Sequence, residues 1–185
     1  MSLEIRDAVK FQDFMFEELA VPVVFIKECP IFSISGEELG PFEAGQEAEL
    51  PLWAAQVLEK EGYVEVKKTP ELTLQELSKA VWKEERSDTL FPIPLDFYAR
   101  LRRYLQALKR KVRESPSPDI LHELRMAETK AQDLVSCRIQ KVIRLALEKE
   151  AHPKIVESMA FEERILFNEV HQLVEAWRNT ILRSP

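Results

Sequence analysis

Residues 39–58 read Leu39-Gly40-Pro41-Phe42-Glu43-Ala44-Gly45-Gln46-Glu47-Ala48-Glu49-Leu50-Pro51-Leu52-Trp53-Ala54-Ala55-Gln56-Val57-Leu58. Gly40 and Gly45 frame a tight loop around Phe42, because glycine reaches backbone angles that other residues avoid. Pro41 fixes one torsion inside that loop. A short polar run then leads to Pro51, placed where a helix begins and a missing N–H is no loss. Leu52, Ala55 and Leu58 continue at helical spacing with Trp53 beside them, and Gly62 supplies the stop. Burial of the Trp53 indole implies that truncation to alanine costs roughly 3–5 kcal/mol.

All four glycines fall between Gly36 and Gly62, so tight turns are confined to this part and the remainder is helix and plain loop. Upstream, Ile5, Ala8, Phe11, Met15 and Leu19 recur at three-to-four spacing and predict a helix over residues 3–19. Val21 to Ile26 is β-branched and aromatic, a strand that Pro22 places at a sheet edge or a strand start. Ile31 to Ile34 reads as a second short strand, and Tyr63 to Val66 alternates and closes the module. Beyond Pro70, Thr73 to Glu76 forms a capping box ahead of Leu74, Leu77 and Val81. The stretch from Glu84 to Pro94, with Ser87-Asp88, Pro92 and Pro94, reads as a linker. The expected fold is α+β, mostly α: a small β-rich domain with an N-terminal helix over 1–69, a connecting helix and linker over 70–94, and an all-α bundle of long helices over 95–185.

Three long helices are predicted in that last part. The first spans residues 95–113 with a seam of Tyr98, Leu101, Leu105, Leu108 and Val112. Pro116 ends it, and Ser117-Pro118 starts a second that reaches Lys149, about 45 Å at 1.5 Å per residue. His152-Pro153 breaks the second, and the third occupies 159–182 with Leu166, Val170, Leu173, Trp177 and Ile181 on one face. The middle helix is unusual. From Leu134 to Leu147 its apolar residues spread over roughly 280° of the circumference, where an outer bundle helix needs about 100°. Either the chain folds back over it, through the small domain or the helix from Thr73, or a partner subunit covers it. The expected interface residues are Tyr98, Leu101, Leu105, Leu134, Val135, Ile139, Val142 and Ile143.

Composition limits the chemistry. No apolar run approaches the roughly 18 residues needed to cross a bilayer, and the first residues lack the basic-then-apolar pattern of a secretion signal. Cys29 and Cys137 are far apart in sequence and read as inert, buried thiols of a reducing compartment. The glycines are too few and wrongly spaced for a phosphate loop, and no Gly-x-Ser-x-Gly elbow exists. His122, His152 and His171 have no histidine or cysteine at ligand spacing and read as solvated or capping residues. Glu162-Glu163 beside Arg164 reads as a solvated face with local ion pairing. No catalytic residue, metal or cofactor is expected. A net charge of −6 opposes general nucleic-acid binding. Against that balance stand Arg100, Arg102, Arg103, Lys109, Arg110, Lys111 and Arg113, either a surface for DNA or an acidic partner, or a plain polar face.

The order Gly40-Pro41-Phe42, Gly45, the acidic run from Glu47 and Pro51-Leu52-Trp53 resembles the signature of GINS replication-complex subunits with the small β-rich domain first. Phe91 to Tyr98, Arg138 to Val142 and Met159 to Phe167 are similar to that family's helical domain. The resemblance implies a non-catalytic scaffold that joins a homologous GINS subunit in a hetero-oligomer, a heterotetramer, and links the MCM helicase to a Cdc45- or RecJ-like protein. Weak or indirect DNA contact and an intracellular location follow from it, and length and composition point to the archaeal version. The competing reading is a stand-alone helical DNA-binding or regulatory protein using the face from Arg100 to Arg113.

Overall fold

A computed structural model describes residues 2–34, 36–68, 71–148 and 153–182. The chain divides into two compact units: Lys10–Pro70 is one, and Glu71–Pro185 together with Met1–Val9 is the other. The first helix, α1 (Ser2–Glu17), contributes to both.

In the small unit, β1 (Ala20–Phe25) is the centre of an antiparallel sheet, between β4 (Glu47–Pro51) and β5 (Val64–Val66). Alternation puts Val21, Val23 and Phe25 inside with Leu50, Val64 and the buried Leu52 and Ala55 of α2 (Leu52–Lys60). A second pair, β2 (Phe32–Ile34) and β3 (Glu37–Leu39), turns through Gly36. Sequence periodicity missed β3 and β4. Glu47-Ala48-Glu49-Leu50 looks like a polar run, yet it alternates strictly, with its glutamates exposed and Leu50 buried.

Pro22 lies inside the central strand, not at an edge or a start. The position is tolerated because β5 pairs with β1 only over Val23–Phe25, and beyond it the Pro22 carbonyl accepts from the Lys67 N–H at 3.0 Å. An antiparallel residue turns its N–H and C=O to the same neighbour, so the absent donor falls where the β5 ladder has ended.

The stretch around Phe42 forms the expected tight loop. Gly40 and Gly45 have φ of +102° and +87°, and a Cβ on Gly40 would meet Ile31 Cα, the Phe42 ring and the Pro30 carbonyl at 3.4 Å. The Gly40–Pro41 peptide is cis. Phe42 exchanges two 2.9 Å backbone hydrogen bonds with Cys29 and stacks on Phe25 at 4.2 Å. Pro51 precedes α2 directly, as predicted. Trp53 is only half-buried, so the full-burial cost expected for its loss does not apply. The predicted α1 stripe is also corrected: Phe11, Met15 and Leu19 are exposed, and Phe16 is the buried residue.

The helical unit comprises α3 (Leu74–Glu85), α4 (Phe97–Glu114), α5 (Pro118–Ala146), a short α6 (Pro153–Glu157) and α7 (Phe161–Leu182). Thr73 caps α3 in the predicted capping box: its Oγ1 accepts from the Glu76 N–H, and Glu76 Oε2 accepts from the Thr73 N–H. Ser117 Oγ accepts from the Ile120 N–H at the start of α5. That helix ends at Ala146, short of Lys149, which with His152 lies outside the described residues. One core joins Leu77 and Val81 of α3 to Phe97, Leu101 and Leu108 of α4 and to Ala127 and Leu134 of α5. A second joins Leu90, Val142, Ala146, Met159 and Phe167. Residues 71–94, expected to form a connection, thus supply Leu72, Leu77, Val81 and Leu90 to the same cores as the long helices.

Candidate subunit interface

Four helices meet at a buried charge cluster centred on Arg138 of α5. The exposures are 0% for Arg138, 1% for Glu84 of α3 and 5% for Glu163 of α7. Arg138 Nη2 donates to Glu163 Oε2 at 2.7 Å, and Nη1 donates to Glu84 Oε2 at 2.5 Å and to the Phe91 carbonyl at 2.7 Å. Tyr98 of α4 donates its hydroxyl proton to Glu163 Oε1 at 2.7 Å, and the Ala160 N–H donates to Glu163 Oε2 at 3.0 Å. Lys141, one turn on, reaches Glu84 Oε1 and the carbonyls of Glu84, Ser87 and Thr89. Two cations thus face two carboxylates, and each of these groups has a partner, the condition for charge to be tolerated in a low-dielectric interior.

The electrostatics follow from that geometry. Burial alone would lower the Arg138 pKa, but hydrogen bonding and charge from Glu163, with Glu84, raise it overall. Burial, then the charge of Glu163, pushes the Tyr98 hydroxyl well above the usual tyrosine range. Tyr104, donating to Glu123 Oε1 at 2.7 Å, is raised by burial first and by Glu123 second. The solvated, locally paired role expected for Glu162-Glu163 is therefore wrong. Glu163 sits in the core, and Glu162 pairs with Arg102 of α4 at 3.0 Å. Partners 25, 54 and 60 residues away in sequence leave no local signature.

Of the eight interface residues expected from sequence, Leu101, Leu134 and Val142 are buried in the chain's own cores, and Tyr98 and Leu105 pack against them. Val135 is half-buried. The wide apolar band of α5 is largely covered from within, since α3, α4 and α7 all pack on this helix. Of the eight, Ile139 and Ile143 remain substantially open, at 40% and 39%. They continue through Leu147 in steps of four, and Leu147 shares an apolar groove of about 460 Å³ with Leu173, Val174, Trp177 and Arg178 of α7.

Along α7 the predicted face runs out of cover. Leu166 and Val170 pack against the second core, while Leu173, Trp177 and Ile181 are exposed, Trp177 at 64%. Arg178 marks the crossing: its Nη2 donates to the Leu147 carbonyl at 2.6 Å and its Nη1 to Glu175 at 2.7 Å. His171 takes a capping role, its Nδ1 lying 3.1 Å from the Ala146 carbonyl at the end of α5. Sequence periodicity found the α7 stripe but gave no sign that its second half is left open.

Residues 71–182 match the family described as Sld5, GINS complex protein helical bundle domain. The chain belongs to the GINS family. It is a GINS complex subunit of DNA replication. The match covers the helical unit, while the Gly40 to Trp53 signature lies in the small unit outside it. No curated protein matches the chain.

In this GINS subunit the basic face of α4 is mostly engaged within the chain. Arg100 donates to the Glu71 carbonyl at 2.9 Å and lies 3.5 Å from Glu76, Arg102 holds Glu162, and Lys109 pairs with Glu128 at 2.9 Å. Arg103 also has a partner. Arg110, Lys111 and Arg113 are exposed near the α4 C-terminus, where positive charge complements the helix dipole. Cys29 is buried and free, its thiol pKa raised by burial against a smaller opposing effect of Lys27. Cys137 is also free but half-buried, where full burial was expected. Among the described residues no group of His, Cys, Asp and Glu is placed to hold a metal, and no helix is long and apolar enough to cross a membrane.

Proposed function

We propose that this GINS subunit is a non-catalytic scaffold that pairs with a homologous GINS subunit through the open face of α5 and α7. In the assembled complex it links the MCM helicase to a Cdc45- or RecJ-like protein. One observation carries the pairing: Ile139, Ile143 and Leu147 stand exposed in steps of four, Leu147 shares a groove with Leu173 and Trp177, and Ile181 continues that exposed α7 face. Each 100 Å² of such surface withdrawn from water contributes about 2.5 kcal/mol, and contiguous apolar patches of this kind mark docking sites. The link to helicase and Cdc45- or RecJ-like protein is supported by family membership and by the resemblance at Gly40 to Trp53.

Coexpression with a homologous GINS subunit tests the reading. The expected product is a hetero-oligomer of fixed mass by light scattering, and Ile143→Asp with Trp177→Asp should dissolve it while circular dichroism retains the helix signal. Both side chains are exposed, so the double change spares the core. Failure to form a complex, or a complex indifferent to the double change, refutes the proposed face.

A further inference from the structure

We infer that the small unit carries a second docking face, around Phe14 and Trp53, for a protein segment that presents a cationic side chain beside an apolar one. This face belongs to Lys10–Pro70 and is independent of the α5–α7 face. On α1, Phe11, Phe14 and Met15 stand at successive helical steps, Leu19 follows just past its end, and all four are exposed, Phe14 with 58% of its surface open. A groove of about 430 Å³ lies beside them, lined by Asp13, Phe14, Glu17, Glu18 and Trp53. Its lining is therefore aromatic and acidic. Glu18 is exposed, whereas Asp13 and Glu17 also make contacts within the chain. Trp53 Nε1 is buried and has no acceptor among the described residues.

Charge selects the occupant. Residues 10–70 hold twelve acidic side chains against five lysines, a net −7, while the whole chain is −6. The negative charge of the protein is thus concentrated on this unit. A surface of that sign repels nucleic acid and anionic lipid, both of which require cationic faces. It attracts a peptide whose arginine or lysine pairs with Glu18 and lies over an aromatic ring, with a neighbouring leucine or phenylalanine seated against Phe14. Such a hot spot, an apolar anchor ringed by complementary charge, is the usual energetic centre of a protein interface. A scaffold needs at least two separate faces, and this one supplies the second.

The test uses the full chain and three fluorescein-labelled 15-residue peptides read by anisotropy. One alternates arginine and lysine with leucine and phenylalanine, one replaces the bases by glutamate, and one replaces the apolar residues by serine. The basic apolar peptide should bind, weakening with salt, and the other two should bind at least tenfold more weakly. Phe14→Ser and Glu18→Lys should each weaken the first peptide by tenfold or more with unchanged thermal melting, while Ile143→Asp/Trp177→Asp leaves it unaffected. Equal binding of the acidic peptide, no binding of the basic one, indifference to both small-unit changes, or loss in the α5–α7 double variant would each overturn the inference. Hetero-oligomer formation by the Phe14→Ser chain then reports separately on the α5–α7 face.

Discussion

Replacing Arg138 by leucine should destabilise the helical unit by about 3–5 kcal/mol, the range for breaking a buried ion pair from one side. The structure explains why the loss sits there and not near the 0–1 kcal/mol of a surface pair. Arg138 and Glu84 side chains are each 1% exposed, so no water replaces the guanidinium. Its removal takes a donor from one oxygen of Glu84, from both oxygens of Glu163 and from the Phe91 carbonyl, leaving only Lys141, Tyr98 and two backbone N–H groups to offset the carboxylates. Urea denaturation followed by far-ultraviolet circular dichroism measures the change, with the helical transition read apart from that of the small unit. A companion variant, Glu84→Gln/Arg138→Met/Glu163→Gln, removes the carboxylates together with the cation and should regain a substantial part of the loss. The charges of such a cluster can be deleted together at far lower cost than singly. A single Arg138→Leu change costing under about 1 kcal/mol would refute the reasoning, because it would mean the carboxylates are hydrated or protonated at little expense.

Three further outcomes are expected. The Tyr98 pKa is raised, so its contribution is present below the unfolded value near 10 and is lost as pH climbs past it. Between pH 10 and 11.5 the wild type should lose up to about 1.4 kcal/mol per pH unit more than Tyr98→Phe, measured by urea titration; parallel curves would refute the burial of that hydroxyl. Gly40→Ala should cost about 1–3 kcal/mol in the small unit, from the left-handed backbone at +102° that a side chain rarely adopts. Thr73→Ala should cost about 1 kcal/mol by thermal melting, through loss of the capping box.

Much of the fold was legible because its causes are local. Thr73 and Ser117 cap helices by reaching three residues ahead, and the loop at Gly40 and Gly45 demands backbone angles that glycine supplies. The α5 and α7 stripes repeat at helical spacing, so their helices were readable to within a few residues. Short strands were harder: β4 hides its alternation behind two glutamates, and β1 admits Pro22 only because its neighbour stops in time. Neither fact can be known before the pairing is.

The site was less legible, for a different physical reason. Periodicity shows that a residue is apolar and on which face it lies, but not whether the chain returns to cover it. Leu134 and Ile139 look alike in the sequence, yet α3 and α4 close over the first and leave the second open. Between the two, the Arg138 cluster holds Glu84 at the end of α3 and Glu163 near the start of α7 against the same turn of α5. Fixing the first turns of α7 there lets Leu166 and Val170 reach the core, while Leu173, Trp177 and Ile181 run on past its edge. A charge cluster buried among four helices thus bears on which apolar residues of α7 reach the core and which stay exposed. The same argument gives a consequence to measure: Arg138→Leu should weaken hetero-oligomer formation even at urea concentrations where the helix signal is intact, because α7 loses its anchor before it unfolds. Undiminished assembly under those conditions would separate the cluster from the open face.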